Sequence, residues 1–230
     1  MKTIGIIGGI GPESTLEYYR SLISAGRDRA CDGNYPHIII NSIDLETAVG
    51  LLEANDLDGL VEYFADAVEC LARAGADFAA FAANTPHLVF DELSKKSRVP
   101  LISIVEATCR RAQELSLKRV GLFGTRFTMQ NTFYQDEFEK KKISIVVPGA
   151  AEQDYIHDKY MNELVNGVMR DETRHKLLAI AEALREREAI EALILGGTEL
   201  PLILTDETEL GIPYLDTTQI HVASILDYAL

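Results

Sequence analysis

Three short clusters in the 230-residue chain carry side chains able to hold a small charged molecule or to move a proton on it. Asn84-Thr85-Pro86-His87 offers an amide, a hydroxyl and an imidazole, a set that could orient an α-amino acid, although Asn84 and Thr85 could equally cap a helix beginning near Pro86. Gly196-Gly197-Thr198-Glu199 supplies a hydroxyl and a carboxyl; Glu199 has three possible uses, as a general base, as an ammonium partner or as the first-turn acid of a short helix. Gly124-Thr125-Arg126-Phe127-Thr128 adds two hydroxyls and a guanidinium, whose planar fork suits a carboxylate but serves a surface ion pair just as well. A fourth cluster, Gly8-Gly9-Ile10-Gly11-Pro12, has no reactive group. Its glycines would let backbone N–H groups at a helix start approach an anion, with a plain tight turn as the alternative.

The elements that must position these clusters follow from the hydropathy pattern. Short apolar runs alternate with longer stretches of helical period, which is the signature of βα units and a parallel sheet, hence of an α/β fold. Strands are expected at 4–7, 37–40, 78–82, 101–104, 192–195 and 212–215, and helices at 12–23, 106–115 and 217–230. The clearest helical period runs through Leu60, Val61, Phe64, Ala67, Val68 and Leu71, with Gly75 as its stop. Each polar cluster follows a strand, at the carboxyl ends where open parallel sheets bind ligands. The pattern then restarts: Lys2-Thr3-Ile4-Gly5-Ile6-Ile7-Gly8 matches Lys118-Arg119-Val120-Gly121-Leu122-Phe123-Gly124, and the strand leading to Ala83-Asn84-Thr85 matches the one leading to Gly197-Thr198-Glu199. This repeat predicts two related domains, 1–105 with the returning tail 215–230, and 106–214.

Composition excludes several classes of function. A net charge of −14, with no Lys/Arg block to offset it, argues against nucleic acid or an anionic membrane as partner. No apolar run reaches the length of a membrane span and the first residues do not form a signal sequence, so a cytoplasmic location is expected. Cys31, Cys70 and Cys109 are three and far apart, which fits buried packing in a reducing compartment rather than disulfides. The five histidines form no ligand spacing, so no metal is expected. A dinucleotide cofactor is disfavoured because Ser14 stands where the glycine fingerprint needs its third glycine and Asp44 lies too far along for the ribose. His157, Lys159, Asp216 and His221 lie near element ends without a telling spacing.

With these motifs in order, the chain resembles the aspartate/glutamate racemase family over essentially its full length. The resemblance implies two Rossmann-like domains with parallel sheets facing across a cleft, a homodimer, and inversion of the α-carbon of a small amino acid or related carboxylate without pyridoxal phosphate or another cofactor. The strand-end clusters themselves give the expected substrate contacts: Gly9, Ile10, Gly11, Asn84, Thr85, Thr125, Arg126, Thr128, Thr198 and Glu199. Family members use two thiols, one before Asn-Thr and one before Thr-Glu, where this chain has Ala83 and Gly197. Neither can move a proton. Two expectations result: an isomerase acting on a small acidic amino acid with Glu199, His87 or Asp44 as substitute acid/base groups, or a homologue without the chemistry that binds a small carboxylate as a regulatory protein.

Overall fold

The computed structural model describes residues 1–29 and 34–230; Cys31 lies outside them. The chain divides into two compact units, Met1–Ile104 with His221–Leu230, and Val105–Ile220. In the first, β1 (Ile4–Gly8), α1 (Pro12–Arg29), β2 (Ile38–Ser42), α2 (Leu45–Glu53), α3 (Leu57–Arg73), β3 (Phe78–Phe81), α4 (Phe90–Lys96) and β4 (Leu101–Ile102) follow one another. Their strands make an all-parallel sheet in the order β2-β1-β3-β4. After α5 (Ile104–Glu114), the second unit repeats the plan with β5 (Arg119–Gly124), α6 (Arg126–Gln130), α7 (Phe133–Glu139), β6 (Ser144–Val146), α8 (Ala150–Asn162), α9 (Asp171–Glu188), β7 (Ala192–Gly196), α10 (Leu200–Ile203) and β8 (Tyr214–Asp216). Its sheet has the order β6-β5-β7-β8, also parallel throughout. The α/β class and the two parallel sheets are as the alternating pattern predicts.

Every residue of β1, β3 and β7 is buried, because helices cover both faces of such sheets, and this is why these strands read as continuous apolar runs. The period noted over residues 60–71 becomes the buried face of α3, where Leu60, Val61, Phe64, Val68 and Leu71 lie within 5% of fully covered. Each such side chain contributes about 1.5–3 kcal/mol of burial. Phe64 meets Phe81 of β3 edge to face at 5.2 Å, fixing α3 on the sheet. Asp56 caps the start of α3, and Gly75, at φ +100°, turns the chain beyond its end.

Two expectations about the elements need correction. Helix α1 runs six residues beyond 23, to Arg29, through Gly26; a side chain there would press on the Pro36 ring at 3.0 Å, so this glycine permits close packing rather than ending the helix. The returning tail starts later than 215: β8 pairs with β7, with Ile194 opposite Leu215, and belongs to the second sheet. The crossing occurs inside α11 (Thr217–Ala229), between Ile220 and His221. From there Val222, Ile225, Leu226 and Ala229 enter the first unit's core with Ile4, Ile6, Tyr18, Leu22 and Phe78. Of the described cysteines, Cys109 is buried as expected, whereas Cys70 is exposed on the outer side of α3.

Candidate functional site

In each sheet the chain leaves the first strand toward one neighbour while the third strand lies on the other side. The turns after those two strands therefore flank a topological switch point, where ligands of open α/β sheets bind. In the first unit these are the Gly8–Pro12 turn and the Ala83-Asn84-Thr85 turn. They touch: the Ser14 hydroxyl, buried in the first turn of α1, donates to the carbonyl of Ala82 just after β3. Ser14 thus has a structural task where a dinucleotide-binding turn would need bare backbone. Gly9, at φ +87°, leaves no room for a side chain against the backbone of Ile43, and its N–H donates to Thr15 Oγ1 at 2.9 Å. Ile10 and Gly11 are half-exposed, and Gly11, at φ +89°, has open space at its Cα apart from Ser14.

Ala83 is partly exposed at the end of β3, and Asn84 behind it is buried. The capping alternative is not realised, since Asn84 precedes the 3-10 turn Thr85–Val89 without a side-chain capping bond. Thr85 is partly exposed beside it. His87 is different. Its ring is 5% exposed, stacked on Phe90 at 4.7 Å, with Nδ1 facing the Asn84 carbonyl at 3.1 Å and Nε2 accepting the Ile104 N–H at 3.1 Å. Both nitrogens are used by backbone, which fixes the neutral tautomer with the proton on Nδ1. Burial, reinforced by the neighbouring His221, pushes its pKa down to about 3. The acid/base role expected of His87 is withdrawn: it pins the turn after β3 to the chain beyond β4.

Asp44 fails for a related reason. It is the N-cap of α2, accepting from Thr47 N at 2.9 Å and Thr47 Oγ1 at 2.7 Å, and those bonds hold its carboxyl below the usual range. Its own backbone is bracketed by the Tyr63 hydroxyl. Asp44 is a helix cap.

In the second unit, Thr125 caps α6 by accepting from Thr128 N at 3.3 Å. Thr128 is 1% exposed and wedged against Gly124 and Gly196, where any side chain would collide with it. The substrate contact expected of Thr128 is therefore withdrawn, and the hydroxyl serves the turn. Arg126 forms the surface ion pair that was its rival use, with Asp154 at 2.9 Å and both side chains well exposed. Its backbone N–H donates to His157 Nδ1 at 3.2 Å. Burial and the adjacent guanidinium lower the His157 pKa.

The other turn of this switch point holds a buried polar cluster. Glu199 is 5% exposed, directly after β7, and does not cap α10. Its Oε2 accepts from Thr198 Oγ1 at 2.7 Å and from the hydroxyl of Tyr160. Tyr160 comes from α8, 39 residues away in sequence. A Cβ built on Gly197 would lie 2.5 Å from both Cε2 and Oη of Tyr160, so the phenol occupies the space that a side chain at 197 would need. Burial first, and the Glu199 charge second, raise the Tyr160 pKa well above that of a free phenol. Asp154, His157 and Tyr160 recur every three residues on α8, so one helix face serves both turns. That spacing is visible in the sequence, but nothing local to Tyr160 marks Glu199 as its partner. Among the described residues no three His, Cys, Asp or Glu side chains converge as a metal site, and no helix is long and apolar enough to cross a membrane.

The model of the Asp/Glu/Hydantoin racemase family matches residues 7–225. The chain belongs to this family. Among its relatives, the broad specificity amino-acid racemase RacX of Bacillus subtilis (strain 168) is 28% identical over 228 residues, covering 94% of this chain and 92% of RacX. The crystal structure of an aspartate racemase homologue from Pyrococcus horikoshii OT3 superposes with a TM-score of 0.88 at 36% identity, over 100% of this chain and 99% of that one. The Picrophilus torridus aspartate racemase shares the fold, with a TM-score of 0.80 at 23% identity over 100% and 94% of the two chains. The resemblance read from the ordered motifs is thus that of a member of the family.

Proposed function

We propose that this chain is an isomerase that moves the α-proton of a small acidic amino acid, without thiols and without a cofactor. The observation that carries this reading is Glu199: a carboxyl group 5% exposed, just beyond β7 at a switch point and hydrogen-bonded by two hydroxyls. A carboxyl so placed is the one acid/base candidate of the three that geometry leaves in play, since His87 and Asp44 have structural tasks. Asn84 and Thr85 in the first unit and Thr198 in the second remain the groups proposed to bind the ligand. The family membership and the racemase relatives support the reaction class. Working as a cytoplasmic homodimer is part of the same proposal. The test is proton NMR of each enantiomer of aspartate and glutamate incubated with the protein in D₂O: loss of the α-proton signal supports the reading, and unchanged signals for every acid tried would reject it.

Ala83 and Gly197 favour a second reading, a protein that binds a small carboxylate and performs no chemistry. Calorimetry separates the two, because binding of aspartate or glutamate without exchange is expected only of a binder.

A further inference from the structure

We propose that Tyr160 is the proton relay of the second unit, a tyrosine from α8 standing in for a side chain at position 197. Three observations converge on it. The Tyr160 ring and hydroxyl fill the volume that a side chain on Gly197 would take, at 2.5 Å from its Cβ position. The hydroxyl donates to Glu199, whose same oxygen also accepts from Thr198. The pair sits at the carboxyl end of β7, beside the switch point where a ligand of this fold binds. A phenol that only packed would have no need of a buried carboxyl group, which is costly to desolvate.

The inference rests on the reaction class proposed above and adds the path of the proton. As the Cα–H bond breaks, the proton forms an O–H bond with the Tyr160 oxygen while the original phenolic proton passes to Glu199 Oε2. The electron pair of the broken bond stays on the α-carbon, Glu199 becomes neutral, and Tyr160 ends as it began. A free tyrosinate never forms, in keeping with a site that disfavours one. Return of a solvent-exchanged proton along this path restores the same face and is read as α-proton exchange, whereas inversion needs delivery to the opposite face of the carbanion.

Tyr160→Phe keeps the ring in place and removes only the relay, and Glu199→Gln removes the acceptor while keeping hydrogen-bonding capacity. With aspartate and glutamate as probes in D₂O, each variant should lose about 10²–10⁴-fold in α-proton exchange, the span of general acid–base groups. Calorimetric binding of the same amino acid should persist, and circular dichroism should report an unchanged fold. Exchange by Tyr160→Phe at the rate of the unaltered protein would overturn the relay and leave the isomerase reading standing. If the unaltered protein exchanges no α-proton, both fall together.

Discussion

Gly197 is occupied space rather than a vacancy, and this decides what substitution there can achieve. Gly197→Cys alone drives a Cβ into the Tyr160 ring at 2.5 Å. Overpacking of this kind costs about 1–3 kcal/mol, so urea denaturation should show a stability loss of that size. His87 makes the opposite case, a residue that looks chemical and is structural. His87→Ala leaves the Ile104 N–H without its acceptor and opens a gap beside Phe90, at an expected cost of about 2–4 kcal/mol by the same measurement. The Asn-Thr and Thr-Glu clusters were legible because each breaks an apolar run with a polar group at a strand end. Tyr160 and the true task of His87 were not, since their partners Glu199 and Ile104 are brought to them by the fold from distant sequence.

At the scale of elements, caps explain residues that pattern alone leaves ambiguous. Asp44→Ala should destabilise by about 1 kcal/mol through loss of the α2 cap, and Asp44→Asn by less, with α-proton exchange untouched in both; denaturation and D₂O exchange run side by side check this. Strands β1, β3 and β7 were readable in advance, because burial on both faces imposes an unbroken apolar composition. Helix α1 extends past residue 23 through Gly26, a residue that weakens helices locally but here allows a close approach of Pro36 that no local rule anticipates. The placement of β8 escaped the sequence for a similar reason. A three-residue strand gains its identity from pairing with Leu193, Ile194 and Leu195, and that register exists only in the folded sheet.

For the molecule as a whole, the repeat read from Lys2–Gly8 and Lys118–Gly124 reappears as one strand order used twice. The two units differ in what they bury. The first holds His87 and His221, the latter fixed between the Tyr18 hydroxyl and the Ile102 carbonyl and pushed by burial to a pKa of about 4. Both folded pKa values, about 3 and about 4, lie below the unfolded value of 6.5. The unfolded chain therefore binds these protons first, so stability is full above pH 6.5 and falls as pH drops toward 4 and 3. Each histidine withdraws about 1.4 kcal/mol per pH unit across that window. Hydrogen exchange read by mass spectrometry at pH 5 and pH 7.5 should show β1 and β3 losing protection on acidification more than β5 and β7, and His221→Gln should reduce the difference.

The shared volume of Tyr160 and Gly197 also constrains descent. Any lineage carrying this pair meets a barrier to regaining a reactive side chain at 197: the substitution there is harmful until position 160 has shrunk, and shrinking 160 first strips Glu199 of its donor and opens a void. The order of mutational steps is thereby restricted, and a relative with a bulky residue at 197 is expected to carry a smaller or displaced residue on the facing helix.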